Sequence, residues 1–139
     1  MNCQTFKESL KTCGRNDVRD ITDTVQETVR RAKVNEGQAT IFVPGSTAGV
    51  TTVEYESGVV QDLASALERL FPENLRYAHH ETAGDDNGFS HIRAAFIGPS
   101  LTVPVTGGQL TLGTWQQIVF VDFDSGPRSR TYHIQIMGQ

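Results

Sequence analysis

From Leu101 to its C-terminus this chain is written almost entirely in strand. LTVPV at 101–105, QLTL at 109–112, WQQIVFVDF at 115–123 and TYHIQIM at 131–137 are rich in β-branched and aromatic residues. Gly107-Gly108 and Ser125-Gly126-Pro127 separate them with residues suited to tight turns. Short strands joined in this way predict a C-terminal antiparallel meander, and the apolar face of such a sheet has to be covered.

The upstream residues supply the cover. Ser57 to Phe71 places Val60, Leu63, Ala64, Leu67 and Leu70/Phe71 on one helical face, and Pro72 stops the helix. Asp20-Ile21-Thr22-Asp23 precedes Val25, Val29 and Ala32 at helical spacing, which predicts a helix over about 23–34 with Asp23 and Gln26 placed for a capping box. Gln38 to Val43, ended by Pro44-Gly45, and Gly49 to Val53 read as strands; residues 4–12 alternate weakly and suit an edge strand. Polar residues and glycines crowd from Ala78 to Gly88, which reads as a long functional loop, and His91 to Ile97 follows as a short helix closed by Gly98. The expected class is α+β: a mixed, mostly antiparallel sheet with helices packed on one side, in a single domain over residues 1–139.

Charge narrows the partners. The formal net charge is −4 and the 12 Lys and Arg residues form no block, so no nucleic-acid footprint is expected. No apolar run approaches the ~20 residues of a membrane span, so no membrane contact and a cytoplasmic location are expected. Cys3 and Cys13 have no partners at zinc-ligand spacing and read as two reduced thiols.

The chemistry concentrates between His79 and Phe123. His79 and His91 flank Glu81, Asp85, Asp86 and Asn87, a set of nitrogen and oxygen donors suited to zinc or another divalent ion with an open position. The same residues also suit a structural role, with His79 at a strand end, His91 on a helix face and the acids in a solvated loop. His80 would point away from His79 in an extended segment. Thr114-Trp115-Gln116 offers an indole wall and an amide to a ring-bearing ligand, or else Trp115 fills core or interface. Arg128 and Arg130 share a strand face and suit phosphate, or else end a surface hairpin. Ser46, Thr47 and Thr51, in a glycine-bearing turn, offer hydroxyl and N–H groups to an anion, but there is no Lys and hence no P-loop. His133, in the last strand, reads as structural. No nucleophile elbow or catalytic-triad order is present.

The run Gly98-Pro99-Ser100-Leu101-Thr102-Val103-Pro104-Val105, with Gly108-Gln109-Leu110-Thr111-Leu112-Gly113-Thr114-Trp115-Gln116-Gln117-Ile118, Asp122-Phe123-Asp124, and Pro127-Arg128 with Arg130, resembles the YjbQ-like family, formerly of unknown function. Thr47-Ala48-Gly49-Val50-Thr51, Glu54, Tyr77, His79, Asn87 and His91 extend the resemblance over nearly the whole chain. It implies a small α+β domain assembling as a homotrimer or dimer of trimers, and an activity like that of members labelled secondary thiamine-phosphate synthases. Under this resemblance His91, Asn87 and Glu54 are candidate catalytic residues. Thr47, Thr114, Trp115, Gln116 and Arg128 are candidates for binding a small phosphorylated heterocyclic substrate, and His79 and His91 for holding zinc or magnesium. The chain departs from the family pattern where a histidine and an asparagine are expected: Gly45 and Val53 stand there. The alternative implied is a non-catalytic ligand-binding or assembly protein of the same fold.

Overall fold

A computed structural model describes residues 1–139. In chain order the elements are β1 (Asn2–Thr12), β2 (Asp17–Asp20), α1 (Thr22–Ala32), β3 (Gly37–Phe42), β4 (Ala48–Glu54), α2 (Ser57–Leu70), α3 (Ala78–Ala83), α4 (Gly88–Ile97), β5 (Ser100–Thr106), β6 (Gln109–Leu110), β7 (Gln116–Asp122) and β8 (Arg128–Gly138). The strands form two sheets, of order β1-β8-β3-β5-β6 and β2-β7-β4, and every pairing is antiparallel. The α+β class and the antiparallel pairing are as the sequence predicts, with the sheet divided in two.

Strand β7 explains the division. Its residues are buried on both faces: Ile118 and Phe120 enter a core shared with Val25 and Val29 of α1, Ile41 of β3 and Ile134 of β8, whereas Val119 and Val121 pack with Leu67 of α2 and Ala94 of α4. A strand apolar on both sides has to lie between two layers. The order is therefore five-stranded sheet, three-stranded sheet, and then α2 and α4, with α1 closing the first core.

Several expectations change for physical reasons. The last strands are not a meander, because β7 crosses to the second sheet and β8 returns to lie between β1 and β3. Val105, Ile118 and Phe120, on the apolar face of these strands, are buried within the chain itself. The expected loop over 78–88 contains α3, ended by Gly84 in the left-handed region at φ 74°. Strand β2 is too short to show as a pattern. The Asp23–Gln26 capping box does not form: the side chain of Asp20 accepts from Thr22 N at 2.9 Å, and Gln26 instead bonds Gly108 O and Leu110 N of the β5–β6 hairpin.

At one end of the two sheets Asp122, the last residue of β7, points inward and is fully buried. Arg130 of β8 donates to both its oxygens, Nε to Oδ2 at 2.7 Å and Nη2 to Oδ1 at 2.8 Å, and Thr12 of β1 and the N–H of Asp124 add two more bonds. Burial disfavours the carboxylate, but the bonds from Arg130 and Thr12 outweigh it and hold Asp122 below the ordinary carboxylate range. A carboxyl depressed on folding contributes stability that is present above the unfolded value, about 3.9, and is lost as pH falls through the folded value. Denaturant titrations should therefore show level stability from neutral pH down to roughly pH 5, then a decline. Asp122→Asn, which strands a buried guanidinium, should cost about 3–5 kcal/mol at neutral pH and flatten that decline; a variant as stable as the parent would refute the staple.

Candidate functional site

Helix α4 is anchored before it does any chemistry. Arg93, 2% exposed, bonds Phe71 O through Nε and Nη2, Asn16 Oδ1 through Nη1 and Glu68 through Nη2, with its guanidinium over the ring of Phe89. This fixes the helix against α2 and aims His91, two positions earlier, at the end of the sheets where Asp122 lies. At the start of α4 the N–H of Gly88 donates to His80 Nε2 at 3.0 Å, and a Cβ on Gly88 would stand 2.4 Å from Tyr77 Cβ. Glycine is required there by close approach. His80 thus holds α3 to α4, which corrects its reading as an outward residue.

Three segments converge beside α4: the turn before β4, the end of β7, and the stretch from α3 to Asn87. Asp124, 2% exposed, joins them by accepting from Thr47 Oγ1 at 3.1 Å, Asn87 Nδ2 at 3.2 Å and Ser125 N at 2.8 Å, with Arg128 Nη2 at 2.8 Å. Burial raises its pKa, but these bonds and the charge of Arg128 leave it lowered overall. Thr47 Oγ1 also accepts from Arg130 Nη2 at 2.8 Å, linking Asp124 to the Asp122–Arg130 pair.

The rings of His79 and His91 lie side by side, centroids 4.3 Å apart and tilted by 56°. His79 Nε2 is 2.8 Å from Asp85 Oδ1, an ion pair when the ring is protonated, and Asn87 Oδ1 is buried without a hydrogen-bond partner. Burial first, and then the charge of His79, push His91 below its ordinary pKa, with Asp85 and Asp124 opposing. Its imidazole is therefore neutral at physiological pH. His91 lines a cavity of about 230 Å³ together with Gly45, Ser46, Ala48, Ala94, Ala95 and Pro99.

A zinc centre needs about three protein ligands aimed at one point. No three His, Cys, Asp or Glu side chains converge in that way. The pair His79 and His91, with Asp85 set against His79 alone, does not fit a divalent ion as arranged.

The expected site residues divide. His79, His91, Asn87, Thr47 and Arg128 come together around Asp124. Glu54 does not: it ends β4, six residues from Ala48 at the cavity, roughly 20 Å along an extended strand. Gln116 is held by Gly113 N and Thr52 Oγ1, and it lines a second cavity of about 350 Å³ over Thr51, Thr52, Leu101 and Thr111. Thr114 and Trp115 precede β7 in a turn, and Trp115 is 72% exposed rather than buried as core. The two cavities follow one another along β4. Gly45 adopts φ 115°, so a histidine there would be strained as well as new to the site. Asp122 and Asp124 entered the sequence reading only through the resemblance. The signal that could have singled them out is two acids at the end of a doubly apolar strand.

The family model described as UPF0047 protein YjbQ-like matches residues 7–139. A UPF0047 protein of Methanocaldococcus jannaschii is 37% identical over 134 residues, covering 96% of this chain and 94% of its own length. A UPF0047 protein of Mycobacterium tuberculosis is 40% identical over 124 residues, 88% of this chain and 90% of its own. Among solved structures, a hypothetical protein of Aeropyrum pernix aligns at TM-score 0.90 with 34% identity, covering 98% of this chain and 99% of that one. A YbjQ-like protein of unknown function from Sulfolobus solfataricus aligns at 0.88 with 28% identity and 99% coverage of both.

The imidazole pair makes a measurable statement. In a proton NMR titration the His91 ring signal should have its midpoint below 6.5, the ordinary value. His79→Gln removes the like charge and should move that midpoint upward; a wild-type midpoint at or above 6.5 would contradict the buried, paired arrangement.

Proposed function

The chain belongs to the UPF0047 YjbQ-like family, and on that premise we propose that it is an enzyme acting on a small phosphorylated heterocyclic substrate at the His91 cavity. The supporting observation is the partly buried imidazole of His91 on α4, which opens onto that cavity beside the hydrogen-bonded pair Asn87–Asp124 and whose pKa burial lowers. Such a group exchanges protons near neutral pH. The reaction supplied by the resemblance is thiamine-phosphate formation. There the thiazole nitrogen forms a bond to the pyrimidine methylene carbon, the carbon–oxygen bond breaks, and its electron pair leaves with pyrophosphate. In this reading His91 hydrogen-bonds the departing oxygen and Arg128 meets its charge, while Gln116 and the exposed face of Trp115 receive a ring along β4.

The second reading, a non-catalytic ligand-binding protein, is favoured by one observation: no three His, Cys, Asp or Glu side chains converge. Incubation with pyrimidine diphosphate and thiazole phosphate, with and without added zinc or magnesium, separates the two. Product formation that drops by roughly 10²–10⁴ in His91→Gln, with unchanged circular dichroism, is the expected result. No product from the wild type under either condition would move the assignment to the binding protein.

The reading also carries the homotrimer or dimer of trimers implied by the resemblance. Phe96 and Trp115, each 72% exposed, are apolar surface that such an assembly would cover. Light scattering should give a multiple of three times the 15.3 kDa chain mass; a mass of one chain at micromolar concentration would remove the assembly.

A further inference from the structure

We propose that the turn at residues 45–47, together with the free edge of Arg130, is a cradle for the phosphate group of a small-molecule monoester. This deepens the reading above and rests on it only for the identity of the substrate. The turn joins β3 to β4, and its flanks are satisfied: Val43 N donates to Pro99 O at 2.8 Å and Val50 N to Gly98 O at 3.1 Å. Between them, none of the N–H groups of Gly45, Ser46 and Thr47 donates to any acceptor in the chain. The N–H groups of Gly45 and Ser46 are open to solvent, whereas Thr47 is only 6% exposed, so its unpaired N–H is the one that folding leaves buried. Gly45 lies at positive φ, whereas Ser46 and Thr47 do not. Backbone nests that bind anions are built from such changes of hand, which turn successive N–H groups toward one concavity.

Arg130 provides the second, independent observation. Its side chain is 10% exposed, and Nε and Nη2 are committed to Asp122 and Thr47. Nη1 makes no hydrogen bond. It stands 3.5 Å from the point where a Cβ of residue 45 would lie, and apart from residues 44–46 themselves no other atom comes within 4 Å of that point. The absence of a side chain at Gly45 therefore leaves a slot with a fixed guanidinium nitrogen on one side. The neighbouring carboxylates do not repel an incoming anion strongly, because Asp122 is taken up by Arg130 and Thr12, and Asp124 by Thr47, Asn87 and Arg128. Gly45 and Ser46 also line the His91 cavity, so a phosphate held here presents the rest of its molecule to His91. Three N–H groups and one guanidinium edge suit the three terminal oxygens of a monoester. Thr47 thus belongs to the substrate site through its N–H rather than its hydroxyl, which is already engaged. Arg130 thereby adds a second guanidinium to the one that Arg128 brings to the proposed reaction.

The test is a ¹H–¹⁵N NMR titration with inorganic phosphate and with phenyl phosphate, using chloride at matched ionic strength as control. The amides of residues 45–47 should shift saturably with both phosphates and not with chloride, and phenyl phosphate should bind more tightly because its ring enters the cavity. Ser46→Glu puts a carboxylate at an exposed position over the slot and should weaken binding by roughly tenfold or more. Saturation confined to other residues, an absence of saturation, or unchanged affinity in Ser46→Glu would overturn the cradle. The wild-type titration stands even if that variant folds poorly. His91→Gln should keep phosphate binding, so a protein that binds phosphate at 45–47 yet forms no product would retain the cradle and lose the enzyme reading.

Discussion

The structure depends on one buried ion pair. Asp122 closes β7 in the three-stranded sheet and Arg130 opens the last strand of the five-stranded sheet, so their two-point contact ties the layers together where the hydrophobic cores end. Thr12 adds β1 to the same carboxylate, and Thr47 adds the turn before β4 to the same guanidinium. A buried pair of this kind adds little net stability relative to apolar packing, but losing one member is costly, which makes it a device for fixing geometry. The functional groups are hung on that geometry.

Strand β7 shows what could be read in advance. Its apolar run was legible as a strand because β-branched and aromatic residues crowd it, and the same was true of β3, β4 and β8. Its sheet partners were not legible. Sequence order suggested β5 to β8 as neighbours, whereas burial on both faces of β7 forces it between two layers. Periodicity reports how many faces are buried, not which strand lies beside which. Helix α2 was readable nearly to the residue, since its apolar face and the following proline agree; α3 was hidden because six residues with none buried leave no periodic trace.

The site was legible in kind and only partly in membership. Histidines and acids in a glycine-rich stretch pointed to the right region, and His79, His91 and Asn87 do meet there. Glu54, Thr114, Trp115 and Gln116 lie elsewhere because β4 carries its far end away from the cavity. Arg130 shares the inward face of β8 with Tyr132, Ile134 and Ile136, as their alternate spacing implies, but its partners Asp122 and Thr47 come from other segments and no spacing could reveal them. Donors left without acceptors, the N–H groups of 45–47 and Arg130 Nη1, are likewise invisible until the fold is known.

Those unsatisfied donors separate scaffold from site. The anchoring groups close their polar atoms: Arg93 finds acceptors for all three of its nitrogens, Asp122 finds four donors, and the N–H of Gly88 is met by a histidine. Beside those anchors, the open N–H groups of residues 45–47, an Nη1 without a hydrogen bond and the buried Asn87 Oδ1 gather in one region. Gly45 and Ser46 are exposed, so water meets their N–H groups, and only a buried unmet atom such as Asn87 Oδ1 carries a free-energy cost. A ligand at the turn would displace that water, and Gly45, by leaving its side chain out, provides the room for it.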